Sequence, residues 1–146
     1  MEAQPQISEN GQWLAYTSNE SGKNEVYVRP FPEVDGGRWQ VSTNGGDSPL
    51  WSPNGRELFY RNGDEVMVAS VKTDPGFSCE TPTILFRGTY STEGSPYGST
   101  WDISPDGKRF LMIKEPESAA SAGEGQQRIN IVLNWFEELK QRVPVK

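Results

Sequence analysis

The stretch that decides the fold is Trp51-Ser52-Pro53-Asn54-Gly55-Arg56-Glu57-Leu58-Phe59-Tyr60-Arg61. An aromatic residue ends one apolar segment, Pro-Asn-Gly forms a tight turn, and a second apolar segment follows at once. This is the pattern of two antiparallel strands joined by a turn. Related stretches occur at 7–16 and 103–112. Three copies at a spacing of roughly 50 residues indicate a repeat array rather than a fold with one central core.

Strands are predicted from the apolar segments around these turns, and each repeat supplies its own set. The predicted strands are a short one ending at Ile7, then 13–17, 25–29 and 38–42; next 48–51, 57–61, 64–71 and 83–86; finally 97–103, 108–113 and 128–133. Asn62-Gly63 is a strong two-residue hairpin signal between two of them. Residues 72–82 are predicted as a loop. The apolar residues of 135–143 recur at helical spacing and predict a short C-terminal helix.

The second strand of the central repeat is apolar on both faces. By the two-residue period, Leu58 and Tyr60 lie on one face and Phe59 lies on the other. A sheet that is buried on both faces needs a neighbour on each side, which radial stacking of four-stranded sheets provides. We therefore predict an all-β fold of three antiparallel β-propeller blades, a half propeller, with a short C-terminal helix. A single domain spans 1–146, and its blades cover roughly 1–43, 44–87 and 88–135.

Charge and composition exclude several classes of partner. A formal net charge of -6 and a pI near 4.7 argue against a nucleic-acid partner, because affinity for phosphate backbones needs clustered Lys and Arg. No apolar run of about 20 residues and no signal peptide occurs, so we expect a soluble chain without membrane insertion. The chain taken alone would be cytoplasmic, whereas part of a receptor-like parent would be extracytoplasmic. A single cysteine leaves the redox compartment open.

Two of the turns resemble the signature of a known repeat. Residues 51–56 read W-S-P-N-G-R and 103–108 read I-S-P-D-G-K. Both resemble the W-S-P-D-G-[KR] signature of the WD40-like (PD40) β-propeller repeat of TolB-type propellers, and 8–11 is a degenerate copy. Residues 130–140 also look like the end of the propeller regions that follow the kinase domain in some bacterial serine/threonine kinases. The resemblance implies one blade per repeat and a role in binding, and it implies no catalytic residue.

The inventory of chemical groups predicts a protein that is not an enzyme. The sequence has no histidine, so it lacks the commonest general base and cannot form a Ser-His-Asp site. No phosphate-binding loop, nucleophile elbow or calcium loop is present. Cys79 has no nearby basic residue to activate its thiol, and we expect it to be inert. We predict no cofactor and no metal site.

The recurring turn residues have two interpretations. Asn or Asp before Gly in a turn bonds the backbone two residues on, so we predict a structural role for Asn10, Gly11, Asn54, Gly55, Asp106 and Gly107. The alternative is that three side-chain oxygens around one axis meet a cation or a polar ligand. Four tryptophans likewise offer either a stacking platform for ligand rings or core packing. Their places in predicted strands favour the core.

Two functional hypotheses follow. The first is a non-catalytic binding or scaffolding module for a protein or a small molecule. The second is a propeller segment of a larger enzyme, a receptor-like serine/threonine kinase or a propeller-capped peptidase, whose catalytic domain is absent. Since ligands collect at the mouth of a propeller channel, we place a ligand in the loops before the innermost strands. The predicted ligand-binding residues are Asp47, Ser48, Tyr97 and Ser99.

The number of repeats predicts an assembly. Known propellers use 4 to 8 blades, so three blades leave a ring open and expose the apolar faces of the first and last blades. Two-fold symmetry is the commonest symmetry of homo-oligomers. We therefore predict a homodimer that resembles a six-bladed propeller, unless the missing blades lie elsewhere in a longer parent protein.

Overall fold

The computed structural model of this protein describes residues 1–91, 99–114 and 129–131. The chain divides into two compact units, Met1–Gly88 and Thr89–Lys146, here called unit 1 and unit 2. Every strand pair in both units is antiparallel. The helical content of the described residues is one 3₁₀ turn, Val34–Gly36. The prediction of an all-β fold of antiparallel sheets is therefore confirmed.

Other parts of the fold prediction are untested. The arrangement of the sheets around one axis and the single domain over 1–146 stay predictions, and the helix predicted over 135–143 lies outside the described residues. Within the described ranges no helix combines the length and the hydrophobicity that a membrane crossing requires.

The first sheet of unit 1 has four strands whose order in the sheet follows their order in the chain. They are β1 (Glu2–Ile7), β2 (Trp13–Ser18), β3 (Glu25–Pro30) and β4 (Trp39–Gln40). The outer strand β4 is shorter than the predicted 38–42. Val41 nevertheless continues alongside β3, because its N–H donates to the carbonyl oxygen of Val26 at 2.8 Å.

The second sheet corrects the predicted strand number. It has five strands rather than four: β5 (Asp47–Trp51), β6 (Glu57–Asn62), β7 (Glu65–Lys72), β8 (Ser78–Cys79) and β9 (Thr83–Arg87). The additional strand β8 lies in the region predicted as a loop and pairs with the end of β7, while β9 pairs with its beginning. The reason is the buried ring of Phe77, which anchors this segment beside β7.

The sheet of unit 2 has three described strands in chain order. These are β10 (Trp101–Ile103), β11 (Phe110–Ile113) and β12 (Ile129–Ile131). Each of these strands lies within the corresponding predicted strand, 97–103, 108–113 or 128–133, and is shorter than that prediction. The rings of Trp101 and Phe110, both buried, stack with centroids 5.7 Å apart.

The core of unit 1 lies between its two sheets and is dominated by aromatic rings. Trp13 of β2 meets Trp39 edge-on with ring centroids 5.7 Å apart. Phe77 packs against both of these rings and against Trp51. Small residues such as Ala15 and Ala69 fill the space beside the rings. The tryptophans of unit 1 therefore serve as core residues, as their positions in predicted strands indicate.

Candidate functional site

Within each sheet of unit 1 the strands are antiparallel, so every sheet has two ends at which strands begin or end. The strands β1 and β5 are both followed by a Ser-x-Asn-Gly turn, and β7 ends beside these turns. We call this the turn end. The opposite end contains the segment 43–46, which connects the two sheets, together with the beginnings of β3 and β5. We call this the linker end.

The first two turns are held by the same hydrogen bonds. Ser52 Oγ donates to Asn54 Oδ1 at 2.8 Å and accepts the N–H of Glu57 at 2.9 Å, while Asn54 Oδ1 also accepts the N–H of Arg56. Ser8 and Asn10 make the equivalent bonds. The conformation needs a positive φ at the next residue, and Gly11 and Gly55 have φ of 70° and 67°. The Asn oxygens in both turns are thus occupied by the chain itself.

The turn of unit 2 repeats this network with an aspartate. Asp106 Oδ1 accepts from the Ser104 hydroxyl and from the N–H of Lys108, and Gly107 has φ of 69°. These hydrogen bonds, the Ser104 hydroxyl first, hold the pKa of Asp106 below its ordinary value. Arg109 completes the turn with an ion pair to the same carboxylate at 3.5 Å.

A cleft of about 860 Å³ opens at the turn end of unit 1. It separates the two Ser-x-Asn-Gly turns and reaches the end of β7. Its lining consists of Ser8–Asn10, Pro53–Glu57 and Ser70–Asp74. Buried Val71 forms part of its floor, whereas the rim residues are mostly exposed. The hydrogen-bonded turns fix two of its walls.

The rim of this turn cleft carries five charged side chains: Glu9, Arg56, Glu57, Lys72 and Asp74. Within the described part of the chain, none of the five makes a hydrogen bond or an ion pair through its side chain. Three carboxylates and two cations therefore face solvent around one concave surface. Such groups can pair with a ligand without first breaking a contact inside the protein.

At the linker end, Asp47 and Ser48 begin β5, which starts one residue before the predicted strand 48–51. Ser48 Oγ donates to Asp47 Oδ1 at 2.8 Å and accepts from Gln4 Nε2 at 2.8 Å. The N–H of Ser48 donates to Gln4 Oε1 at 2.9 Å, and the same oxygen accepts from the Thr17 hydroxyl. Gln4 and Ser48 each have φ of 53° and sit where the strand registers shift. This polar cluster joins β1 to β5.

A second polar cluster at the linker end surrounds Glu25, whose side chain is almost fully buried. Its carboxylate accepts from the Ser42 hydroxyl and from the N–H of Gly45, and it pairs with Lys23 Nζ at 3.1 Å. Ser42 Oγ in turn accepts the N–H of Val26. These contacts fix the segment between the two sheets.

Burial raises the pKa of two further groups of unit 1, Tyr60 and Cys79. Burial, with a smaller contribution from the charge of Glu25, raises the pKa of Tyr60 to about 12. Burial also raises the pKa of the Cys79 thiol above its ordinary value. A raised thiol pKa opposes formation of the reactive thiolate.

The predicted four-residue ligand site is only partly described. Ser99 lies in unit 2, where its hydroxyl donates to the carbonyl oxygen of Trp101 at 2.7 Å. Tyr97 lies outside the described residues. The assignment of Asp47, Ser48, Tyr97 and Ser99 to one ligand site stays a prediction. Among the described residues, no three His, Cys, Asp or Glu side chains come together in a way that would hold a metal ion.

The turn cleft was not predicted from the sequence. Its turn residues were identified, but as structural elements, and the charged residues in and beside these turns were not assigned a role in binding. The available signal was the position of the charges: Glu9 lies within one repeated turn, and Arg56 and Glu57 directly follow the other. Residues that flank equivalent turns of neighbouring repeats come close in space when the repeats stack.

Comparison with known proteins gives little beyond a distant likeness. No protein-family profile matches the sequence, and no curated protein matches it. Among solved structures, the chain resembles TolB from Acinetobacter baumannii with 14% sequence identity and a TM-score of 0.41. The aligned region covers 90% of this chain and 43% of that TolB chain, so the chain spans less than half of its length. Identity and TM-score are both too low to transfer a ligand or a role.

Proposed function

We propose that this chain is a non-catalytic binding module of the β-propeller type, and that its turn cleft holds a segment of a partner protein. One observation supports this proposal above all others. The cleft walls are fixed by hydrogen-bonded turns, whereas the charged side chains on its rim have no partner in the described part of the chain. A rigid frame with unpaired charges is suited to binding, since little ordering free energy is lost when the ligand arrives.

The distribution of charge favours a polypeptide over a small molecule. A volume of about 860 Å³ lies within the range of ligand pockets. In small-molecule sites, however, a few polar groups point towards one buried position. In the turn cleft, charges of both signs are spread over three separate chain segments. An extended peptide with both acidic and basic side chains matches this pattern.

The proposal includes completion of the ring by further blades. We propose that a second copy of the chain supplies them in a two-fold homodimer, because isolated propeller sheets leave apolar faces in water. Light scattering across micromolar concentrations tests this point, and a well-folded monomer would contradict it. The alternative of a segment from a larger enzyme is tested on the encoding open reading frame, where a kinase or hydrolase domain would favour it.

The binding proposal is tested with an array of ten-residue peptides of mixed charge. Peptides that bind are selected, and their affinities are measured by calorimetry for the unmodified chain and for the double variant Arg56→Glu/Lys72→Glu. We expect at least about a tenfold loss of affinity, since reversing two rim charges replaces attraction with repulsion.

The matched control is the double variant Asp47→Asn/Ser48→Ala at the linker end, for which we expect unchanged affinity. The opposite result, with binding lost in the control and kept in the Arg56/Lys72 variant, would overturn the cleft proposal and place the ligand at the linker end, as the sequence predicts. An array without any binding peptide would also count against the turn cleft.

A further inference from the structure

The contact between the two sheets of unit 1 shows how one repeat packs on the next. Ala15 of β2 belongs to the same buried cluster as Leu58 and Tyr60 of β6. Counting from the turn serine of each repeat, Leu111 of β11 holds the place of Ala15, while Leu14 and Tyr16 hold the places of Leu58 and Tyr60. By this correspondence, the Leu111 face of the last sheet is of the type that packs on the Leu14 face of the first sheet.

The described residues of unit 2 present exposed side chains on the Leu111 face. Leu111 and Ile113 are 44% and 41% exposed and, two residues apart on β11, lie on the same face of the strand. Asp102 lies directly opposite Leu111 on β10 and therefore shares its face. Among the described residues, the Asp102 side chain accepts only the N–H of the adjacent Ile103 and makes no ion pair. The face thus combines exposed apolar groups with an unpaired carboxylate.

The Leu14 face of the first sheet has complementary features. A hollow of about 280 Å³ lies over it, lined by apolar groups that include Leu14 and Val34 and by the side chains of Tyr16 and Arg29. Arg29 Nε donates to the Tyr16 hydroxyl at 2.7 Å, which orients the guanidinium group. Its terminal nitrogens donate to no acceptor among the described residues. Arg29 therefore offers the paired donors that recognise a carboxylate.

The charge on Arg29 is stable under all ordinary conditions. The hydrogen bond with Tyr16 raises the pKa of Arg29 above its ordinary value. The nearby carboxylates of Glu2 and Glu20 also raise it. Glu2 also lines the hollow and is exposed, so it weakens the attraction for an approaching carboxylate, whereas Glu20 pairs with Arg38.

We propose that a second copy of this chain docks its Leu111 face on the Leu14 face, with Leu111 entering the hollow and the carboxylate of Asp102 binding the guanidinium group of Arg29. Two-fold symmetry generates the same contact twice in one dimer. This inference rests on the part of the proposed function in which a second copy completes the ring. It is independent of the peptide that the turn cleft binds.

The test is a charge exchange between the two faces, measured by sedimentation velocity. In Arg29→Glu and in Asp102→Lys each contact brings like charges together, and we expect the dimer dissociation constant to rise at least about tenfold in both. Mixed in equal amounts, the two variants form a heterodimer in which both contacts again pair opposite charges. We therefore expect the mixture to recover dimerisation. Arg56→Glu, the same substitution at an exposed arginine of the turn end, should leave the dimer unchanged.

Three results would overturn the inference: a monomeric unmodified chain, variants that dimerise like the unmodified chain, or a mixture that stays monomeric although circular dichroism shows both variants folded. If Arg29→Glu does not fold, Leu111→Asp at an exposed position replaces it and is expected to yield monomers. Variants that dimerise normally would indicate that a dimer forms through another surface, which leaves ring completion standing. Peptide binding to the same variants reports separately on the turn cleft.

Discussion

The two ends of unit 1 differ in whether their polar side chains are paired within the protein. At the linker end, Glu25 is buried and hydrogen-bonded, and Ser48 is joined to Gln4 and Asp47. At the turn end, the serine and asparagine side chains hold the backbone equally well, but the charged side chains around the turn cleft make no hydrogen bond or ion pair with the described chain. The first arrangement stabilises the fold, whereas the second leaves charged side chains exposed to solvent.

This difference shows which end can lose a side chain without unfolding. A buried carboxylate cannot be removed cheaply, because its former donors remain buried without an acceptor. An exposed, unpaired charge costs almost nothing to remove. Mutations at the two ends should therefore separate stability from binding, and the following predictions are arranged from the largest expected effect to the smallest.

Glu25→Ala should destabilise the chain most. It removes the acceptor for the Ser42 hydroxyl and the Gly45 N–H in a buried environment, and we expect a loss of about 3 kcal/mol in the free energy of unfolding. Urea unfolding followed by circular dichroism measures this loss. Glu57→Ala on the cleft rim is the matched control. Equal losses of unfolding free energy in both variants would contradict the proposed difference between the two ends.

Gly46→Ala should destabilise the linker end by steric conflict. A Cβ at this position would lie 2.7 Å from Cδ2 of the buried Tyr60 ring and 3.1 Å from Cβ of Ser42. We expect a loss of about 2 kcal/mol, the usual cost of overfilling a packed interior. Thermal unfolding can compare it with Gly76→Ala, whose Cβ would meet nothing within 4 Å. Similar melting temperatures for both variants would show that the backbone around Gly46 shifts enough to accommodate the added methyl group.

Ser52→Ala should produce a smaller loss at the turn end. The buried hydroxyl accepts the N–H of Glu57 and donates to Asn54, so its removal should cost about 1 kcal/mol. Urea unfolding again gives the value. Ser70→Ala, an exposed serine of the same cleft, should be neutral, and a larger effect there than at position 52 would contradict the role given to the turn network.

Arg56→Gln and Lys72→Gln should change stability least. Neither side chain has a partner in the described chain, so each variant should stay within about 0.5 kcal/mol of the unmodified chain in urea unfolding. A loss above about 1 kcal/mol in either variant would show that the rim charges support the fold, and the contrast between the two ends would then fail.

Much of the fold could be predicted because it depends on local signals. The Asn-Gly pairs, the hairpin at Asn62-Gly63 and the alternation of Leu58, Phe59 and Tyr60 specify turns and strands within a few residues. The strand β8 was missed because its cause is distant: Phe77 lies beside Trp13 of the other sheet. No sequence pattern within residues 72–82 predicts the contact between Phe77 and Trp13.

The candidate site was harder to predict, for the same reason. Glu9 and Lys72 line one cleft although they lie in different repeats, and no sequence motif links the two positions. The predicted strand 48–51 matches β5 to within one residue, but the sequence did not reveal that Gln4, from the preceding repeat, would form hydrogen bonds with Ser48. Position along a strand is local information, whereas the partner of a side chain is set by packing.

The ring cluster at the core of unit 1 also makes the molecule optically informative. The sequence contains five tryptophans, and three of them, Trp13, Trp39 and Trp51, surround Phe77 between the two sheets. Separation of these sheets would bring all three indoles into water together, and indole emission shifts to longer wavelength in a more polar environment. Intrinsic fluorescence therefore reports chiefly on the contact between the first two repeats, and this contact can be followed without any attached label.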